Sequence, residues 1–132
     1  MTNTSPATRT VAQMIAEARQ TVEHLTPEQV TAEMSRGDAV LVDLRDGVER
    51  AANGAIAGST HAPRGMLEFY ADPASAYHRA EFDPARRTIL YCASGGRSAL
   101  AAQTLHELGY SNVAHLDGGI KGWIASGGAV ER

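Results

Sequence analysis

Little in this sequence suggests a disulfide scaffold, a membrane span or a nucleic-acid partner. The chain has one cysteine, which cannot form an internal disulfide. Its apolar runs, such as residues 40–42, are too short to cross a bilayer, and residues 1–10 lack the apolar core of a secretory signal. Its 12 basic residues are outnumbered by 15 acidic ones, unlike a basic nucleic-acid binder. We therefore expect a cytoplasmic protein without membrane or nucleic-acid partners.

What is present is enough for one domain. The 132 residues are 43% hydrophobic, which is sufficient to form a buried core without disulfide bonds. Apolar residues at helical spacing predict a helix over residues 11–25, and we interpret residues 1–25 as an N-terminal extension. Thr26, Pro27 and Gln29 form the start pattern of a second helix, over residues 27–35. The main domain is then predicted to cover residues 26–132.

Short apolar runs further along the chain indicate buried strands. They cover residues 39–44, 88–92 and 112–116. We expect one or two short helices within residues 64–87, a helix over residues 98–108 and a last short helix around Trp123. Helices that alternate with such strands predict an α/β fold with a mainly parallel central sheet flanked by helices. Ligands of such sheets bind beyond the carboxyl ends of the strands.

Cys92 follows one of these predicted strands. Two glycines come soon after it, and they allow successive N–H groups to face one centre and bind an anion. The helix that follows adds its own free N–H groups, and Arg97 adds a planar, positively charged guanidinium group that can donate two hydrogen bonds to an oxyanion. Such a ring favours the thiolate form of sulfur, so the pattern predicts a nucleophilic cysteine that handles an anionic substrate. The alternative is a cysteine that packs only as a small apolar side chain.

Four segments in this order resemble the rhodanese domain. They cover roughly residues 26–128, and the active-site loop is the third of them. The segments are Val42-Asp43-Leu44-Arg45 with Glu49, Gly54-Ala55-Ile56-Ala57-Gly58-Ser59 before His61-Ala62-Pro63, Cys92-Ala93-Ser94-Gly95-Gly96-Arg97-Ser98, and Leu116-Asp117-Gly118-Gly119 with Trp123. Ala55 departs from the family, which often has histidine there. The resemblance implies a rhodanese-like three-layer fold and a sulfurtransferase.

The resemblance also implies a role for each residue of the loop. Cys92 would take a sulfane sulfur from a donor such as thiosulfate and pass it, as a persulfide, to cyanide or a thiol. No metal or organic cofactor is implied. Arg97 would bind the oxyanion of the donor. Independently of the resemblance, Arg64 follows Pro63 and is a further candidate for attracting the donor, with a solvated loop arginine as the alternative. The backbone N–H groups of six residues would cradle the persulfide: Ala93, Ser94, Gly95, Gly96, Arg97 and Ser98.

Other functions stay open at this point. A carrier module that receives sulfur from a sulfur-relay protein would share the same loop. A phosphatase or an arsenate reductase is disfavoured, because related phosphatases place one more residue between cysteine and arginine than the four found here, residues 93–96. No second cysteine is available to resolve a persulfide, so the acceptor must be external. No histidines are spaced as a metal site, and we expect no metal.

Overall fold

The N-terminal helix is shorter than its apolar pattern predicts. The computed structural model describes residues 8–132, so the first seven residues of the predicted extension lie outside it. Helix α1, Val11–Thr21, starts at a capping box between Thr10 and Gln13. The prediction of a helix as far as residue 25 is wrong, because Glu23–Leu25 form strand β1. The apolar pair Val22 and Leu25 fits helical spacing, but in the structure the two side chains join core clusters on opposite faces of the sheet.

The next elements follow the local signals more closely. Helix α2, Pro27–Arg36, begins at the predicted Thr26 and Gln29 capping box, and it ends at Gly37 with a left-handed φ of 81°. Strand β2 is Ala39–Asp43. Helix α3, Gly47–Asn53, was not predicted, although Asp46 and Glu49 form a capping box of the same kind.

The remaining elements complete the alternation of strands and helices. Two short helical segments do lie between residues 64 and 87, as predicted. Helix α5 begins at Gly96 rather than residue 98, so Arg97 and Ser98 belong to its first turn. The elements are β3 Thr60–His61, a 3₁₀ turn Arg64–Met66, α4 Leu67–Ala71, β4 Arg87–Tyr91, α5 Gly96–Glu107, β5 Val113–Leu116 and α6 Gly119–Ala125.

The five strands form one sheet in the order β1-β5-β4-β2-β3, and all pairings are parallel. Alternate residues of β2 enter different cores: Val40 and Val42 face one apolar cluster, and Leu41 faces the other. Two cores around one sheet confirm the predicted three-layer α/β fold. Cys92 directly follows the central strand β4. Within residues 8–132, no helix is both long enough and apolar enough to span a bilayer.

Candidate active site

The loop after β4 is held by the start of helix α6. The N–H of Ile120 donates to the carbonyl of Cys92 at 2.9 Å, and the N–H of Lys121 donates to the carbonyl of Ala93 at 3.1 Å. Gly119 makes this approach possible, since its φ is +60° and a Cβ there would lie 2.5 Å from the Ala93 carbonyl oxygen. With these carbonyls bound to α6, the N–H groups of the loop are free to turn towards the sulfur.

Backbone donors converge on the sulfur of Cys92, which is 1% exposed. The N–H of Gly95 lies 3.2 Å from Sγ and the N–H of Ser98 lies 3.4 Å from it. Two of the six predicted cradle residues therefore donate to the sulfur in this structure. Ala93 is partly buried and Ser94 is exposed. The N–H groups of Gly96 and Arg97 open the first turn of α5, where a helix has no partner for them, so they remain available to an anion.

Arg97 already has an anionic partner. Its guanidinium donates to both carboxylate oxygens of Glu49, at 2.7 and 2.8 Å. This pairing lowers the pKa of Glu49 to about 2 and raises the pKa of Arg97. Sequence reasoning did not predict the pair, because the two residues lie 48 positions apart. An anion that used these two N–H groups of Arg97 would have to displace Glu49.

The structure places Arg64 in another ion pair. Its guanidinium donates to Glu68 at 2.8 Å and to the hydroxyl of Thr104 at 3.4 Å. These contacts join the 3₁₀ turn to α4 and α5 rather than to the cysteine loop. A role for Arg64 in attracting the donor stays a prediction.

A line of polar side chains leads away from Cys92 beneath the loop. The thiol donates to Oγ of Ser98 at 3.6 Å, and this hydroxyl lies 2.8 Å from Nδ1 of His115. The other ring nitrogen of His115 lies 2.7 Å from Nδ1 of His24. Burial is the main cause that lowers the pKa of His115 to about 4, and the nearby charge of His24 lowers it further. Sequence spacing missed this pair because β1 and β5 bring together residues 91 positions apart.

Asp117 adjoins the two histidines. One ligand atom from each of the three residues lies within 4.8 Å of the others. Arg19 already binds the carboxylate of Asp117 at 3.0 Å, and the two rings are joined by a hydrogen bond at 2.7 Å rather than spaced around a cation. These contacts do not define a metal centre.

A buried ion pair fixes the sheet edge beside the loop. Asp43 and Arg45 are both fully buried, and their closest contact is 2.8 Å. The hydroxyl of Tyr91 also donates to Asp43 at 2.8 Å, while Arg50 donates at 3.0 Å. The network ties the end of β2 to the end of β4, one residue before Cys92. Its location and burial are those of a structural ion pair.

The fold and this site together define a class: an α/β domain with a cysteine at the end of its central strand, ringed by backbone donors and followed by an arginine. The chain belongs to the rhodanese-like domain family, which matches residues 26–126.

Similar proteins include a curated sulfurtransferase and two solved structures. Thiosulfate sulfurtransferase GlpE of Glaesserella parasuis serovar 5 is 33% identical over 107 residues, which cover 81% of this chain and 91% of the relative. A solved structure from Rhodopseudomonas palustris CGA009 is described as a protein of unknown function and possible tyrosine phosphatase. It is 40% identical to this chain with a TM-score of 0.89, and the match covers 98% of this chain and 100% of that one. The polysulfide-sulfur transferase homodimer of Wolinella succinogenes is 26% identical with a TM-score of 0.73, over 89% of this chain and 84% of its own.

Proposed function

We propose that the protein is a sulfurtransferase that moves a sulfane sulfur from thiosulfate or a related donor to a thiophilic acceptor through a persulfide on Cys92. The observation that carries this proposal is the convergence of the Gly95 and Ser98 N–H groups on Sγ. Membership of the rhodanese-like family and the similarity to a thiosulfate sulfurtransferase support it. The partners are a small-molecule sulfur donor and a thiophile such as cyanide or a thiol, with a sulfur-relay protein as a further candidate.

The chemistry has two half-reactions. The Cys92 thiolate attacks the sulfane sulfur of thiosulfate, the sulfur–sulfur bond of the donor breaks, and sulfite leaves with the bonding electron pair. The acceptor then attacks the outer sulfur of the persulfide, and Cys92 leaves as a thiolate. Negative charge stays at the loop in both steps, where Gly95, Ser98 and the first turn of α5 stabilise it. The cycle needs no metal and no organic cofactor.

Intact mass spectrometry after incubation with thiosulfate tests the proposal. Wild type is expected to gain one sulfur atom, which cyanide removes as thiocyanate. Cys92→Ser is expected to gain none, because a hydroxyl cannot form a persulfide.

Two other results would replace the proposal. A gain only from a persulfidated protein donor would indicate a carrier module. Hydrolysis of an aryl phosphate that disappears in Cys92→Ser, with no sulfur gain in wild type, would indicate a phosphatase. The loop disfavours a phosphatase because only residues 93–96 separate Cys92 from Arg97.

Glu49→Gln is expected to lower the KM for thiosulfate about fivefold. The substitution removes the charge that competes with the donor for Arg97, and a unit charge at contact distance contributes about 1 kcal/mol in water. Glutamine still accepts in the capping box that Glu49 forms with Asp46, so helix α3 is retained. Steady-state kinetics with thiosulfate measure the change.

The control is Glu81→Gln, which makes the same change of charge in the ion pair with Arg79, whose partners do not include the loop. We expect its KM to stay within about twofold of wild type. An unchanged or higher KM in Glu49→Gln would mean that Arg97 shapes the loop without binding the donor.

A further inference from the structure

Hydrogen bonds join the buried thiol to the edge of the sheet without a gap. From Cys92 Sγ they pass through Ser98 Oγ at 3.6 Å, His115 Nδ1 at 2.8 Å and His24 Nδ1, which lies 2.7 Å from His115 Nε2. The last contact is from His24 Nε2 to the carbonyl of Arg19, at 2.9 Å. His24 is partly exposed, whereas Ser98 and His115 are fully buried.

The final carbonyl sets the direction of every bond in this line. A carbonyl oxygen only accepts, so Nε2 of His24 carries a proton and Nδ1 of neutral His24 is an acceptor. His115 must then donate from Nε2, which makes its Nδ1 an acceptor. This Nδ1 lies 2.8 Å from the Ser98 hydroxyl and is a nearer acceptor for its proton than the carbonyl of Gly95, at 3.3 Å. The oxygen of Ser98 in turn accepts from the Cys92 thiol. All donors therefore point away from the sulfur.

We propose that Ser98, His115 and His24 form a proton relay that takes the proton of the Cys92 thiol to His24. The thiol proton passes to Ser98 Oγ, the Ser98 proton passes to His115 Nδ1, and the Nε2 proton of His115 passes to His24 Nδ1. No net charge is gained: Sγ becomes negative, His24 becomes positive, and Ser98 and His115 end neutral. Every hydrogen bond survives with its direction reversed, except the bond to Arg19, which is unchanged.

The surroundings favour this distribution of charge. Cys92 is 1% exposed, so its thiol has little direct contact with water. The pKa of about 4 at His115 means that this ring stays neutral near neutral pH. His115 therefore passes the proton on to His24 and does not keep it. The charged groups that face the histidine pair are Arg19 on α1 and Asp117 after β5. Arg19 and Asp117 carry opposite charges and are themselves paired at 3.0 Å.

The relay deepens the proposed function, because it supplies the thiolate that attacks the donor, but its test does not depend on sulfur transfer. Iodoacetamide alkylation of Cys92 is followed against pH. His24→Asn keeps an acceptor for His115 but cannot take up a proton, and Ser98→Ala cuts the chain nearer the thiol. Each is expected to slow alkylation near neutral pH about tenfold, which corresponds to a midpoint about one pH unit higher. His106→Ala, at an exposed position of α5, is the matched control and is expected to keep the wild-type profile.

The double variant separates a relay from two unrelated effects. If Ser98 and His24 belong to one chain, cutting it twice displaces the midpoint no further than cutting it once. Displacements that add, or single variants with the wild-type profile, would overturn the relay. If wild type forms the persulfide but the single variants keep its alkylation profile, the relay has failed. If the single variants change the alkylation profile but wild type forms no persulfide, the proposed function has failed.

Nitrogen-15 NMR of the wild-type protein gives a test that needs no variant. The Nε2 of His24 is expected to stay protonated across the titration, and Nδ1 is expected to be the nitrogen that titrates. Cys92 and His24 are expected to titrate as one pair, so that each step seen at His24 Nδ1 also appears in the alkylation profile of Cys92. A neutral His24 with its proton on Nδ1 would break the order of donors and overturn the proposal.

Discussion

Asp43→Ala is expected to lower the free energy of unfolding by about 3–5 kcal/mol, the cost of leaving a buried charge without its partner. Arg45 is fully buried, and Asp43 supplies its only carboxylate among the described residues. After the substitution the guanidinium would keep the carbonyl of Gly54, at 2.8 Å, which does not neutralise its charge. The hydroxyl of Tyr91 would also lose Asp43 as an acceptor at 2.8 Å and keep the more distant hydroxyl of Ser59, at 3.2 Å.

Urea denaturation of the variant and of wild type measures this loss. Asp38→Ala is the matched control, since Asp38 is exposed, and we expect it to change stability by no more than about 0.5 kcal/mol. The double variant Asp43→Ala with Arg45→Met is expected to recover part of the loss, because it removes the unpaired charge. Equal losses in Asp43→Ala and Asp38→Ala would show that the buried pair does not stabilise the sheet edge.

The parts of the fold that could be predicted are those with a local signal. The three central strands are continuous apolar runs. Helix α2 has a capping box, which identifies the residue at which the helix begins. Helix α3 was missed although Asp46 and Glu49 carry the same signal, because its seven residues are too short to show an apolar stripe. Strand β1 was missed because three residues are too few to show an alternation, and its pairing with β5 is a long-range property.

In the site, too, local contacts could be predicted from the sequence and long-range contacts could not. Cys92, the glycines after it and Arg97 lie in one short segment, so their arrangement could be inferred from the sequence. The side chains that contact Arg97, or that extend the hydrogen-bonded line from Cys92, come from elsewhere: Glu49 from α3 and His24 from β1. Both elements are among those that the sequence did not predict. A missed element therefore removed a neighbouring side chain from the predicted site as well as a piece of the fold.

Acidification should weaken the fold through His115. Its pKa is lowered from 6.5 to about 4, chiefly by burial, so between these values the unfolded chain binds more protons than the folded one. The stability that His115 contributes is then complete above pH 6.5 and falls as the pH drops to about 4. The slope is about 1.4 kcal/mol per pH unit, and the total loss is about 3 kcal/mol.

His115→Asn is the comparison that isolates this effect, because asparagine does not titrate and the carboxylates that titrate in the same range are common to both proteins. Urea denaturation is measured for wild type and variant at several values between pH 4 and 7. The variant is expected to be less stable at neutral pH, since it loses the contacts to Ser98 and His24. Its disadvantage is expected to shrink by about 3 kcal/mol towards pH 4. Two parallel curves would mean that His115 has the same proton affinity in the folded and the unfolded chain, and that burial does not hold it neutral.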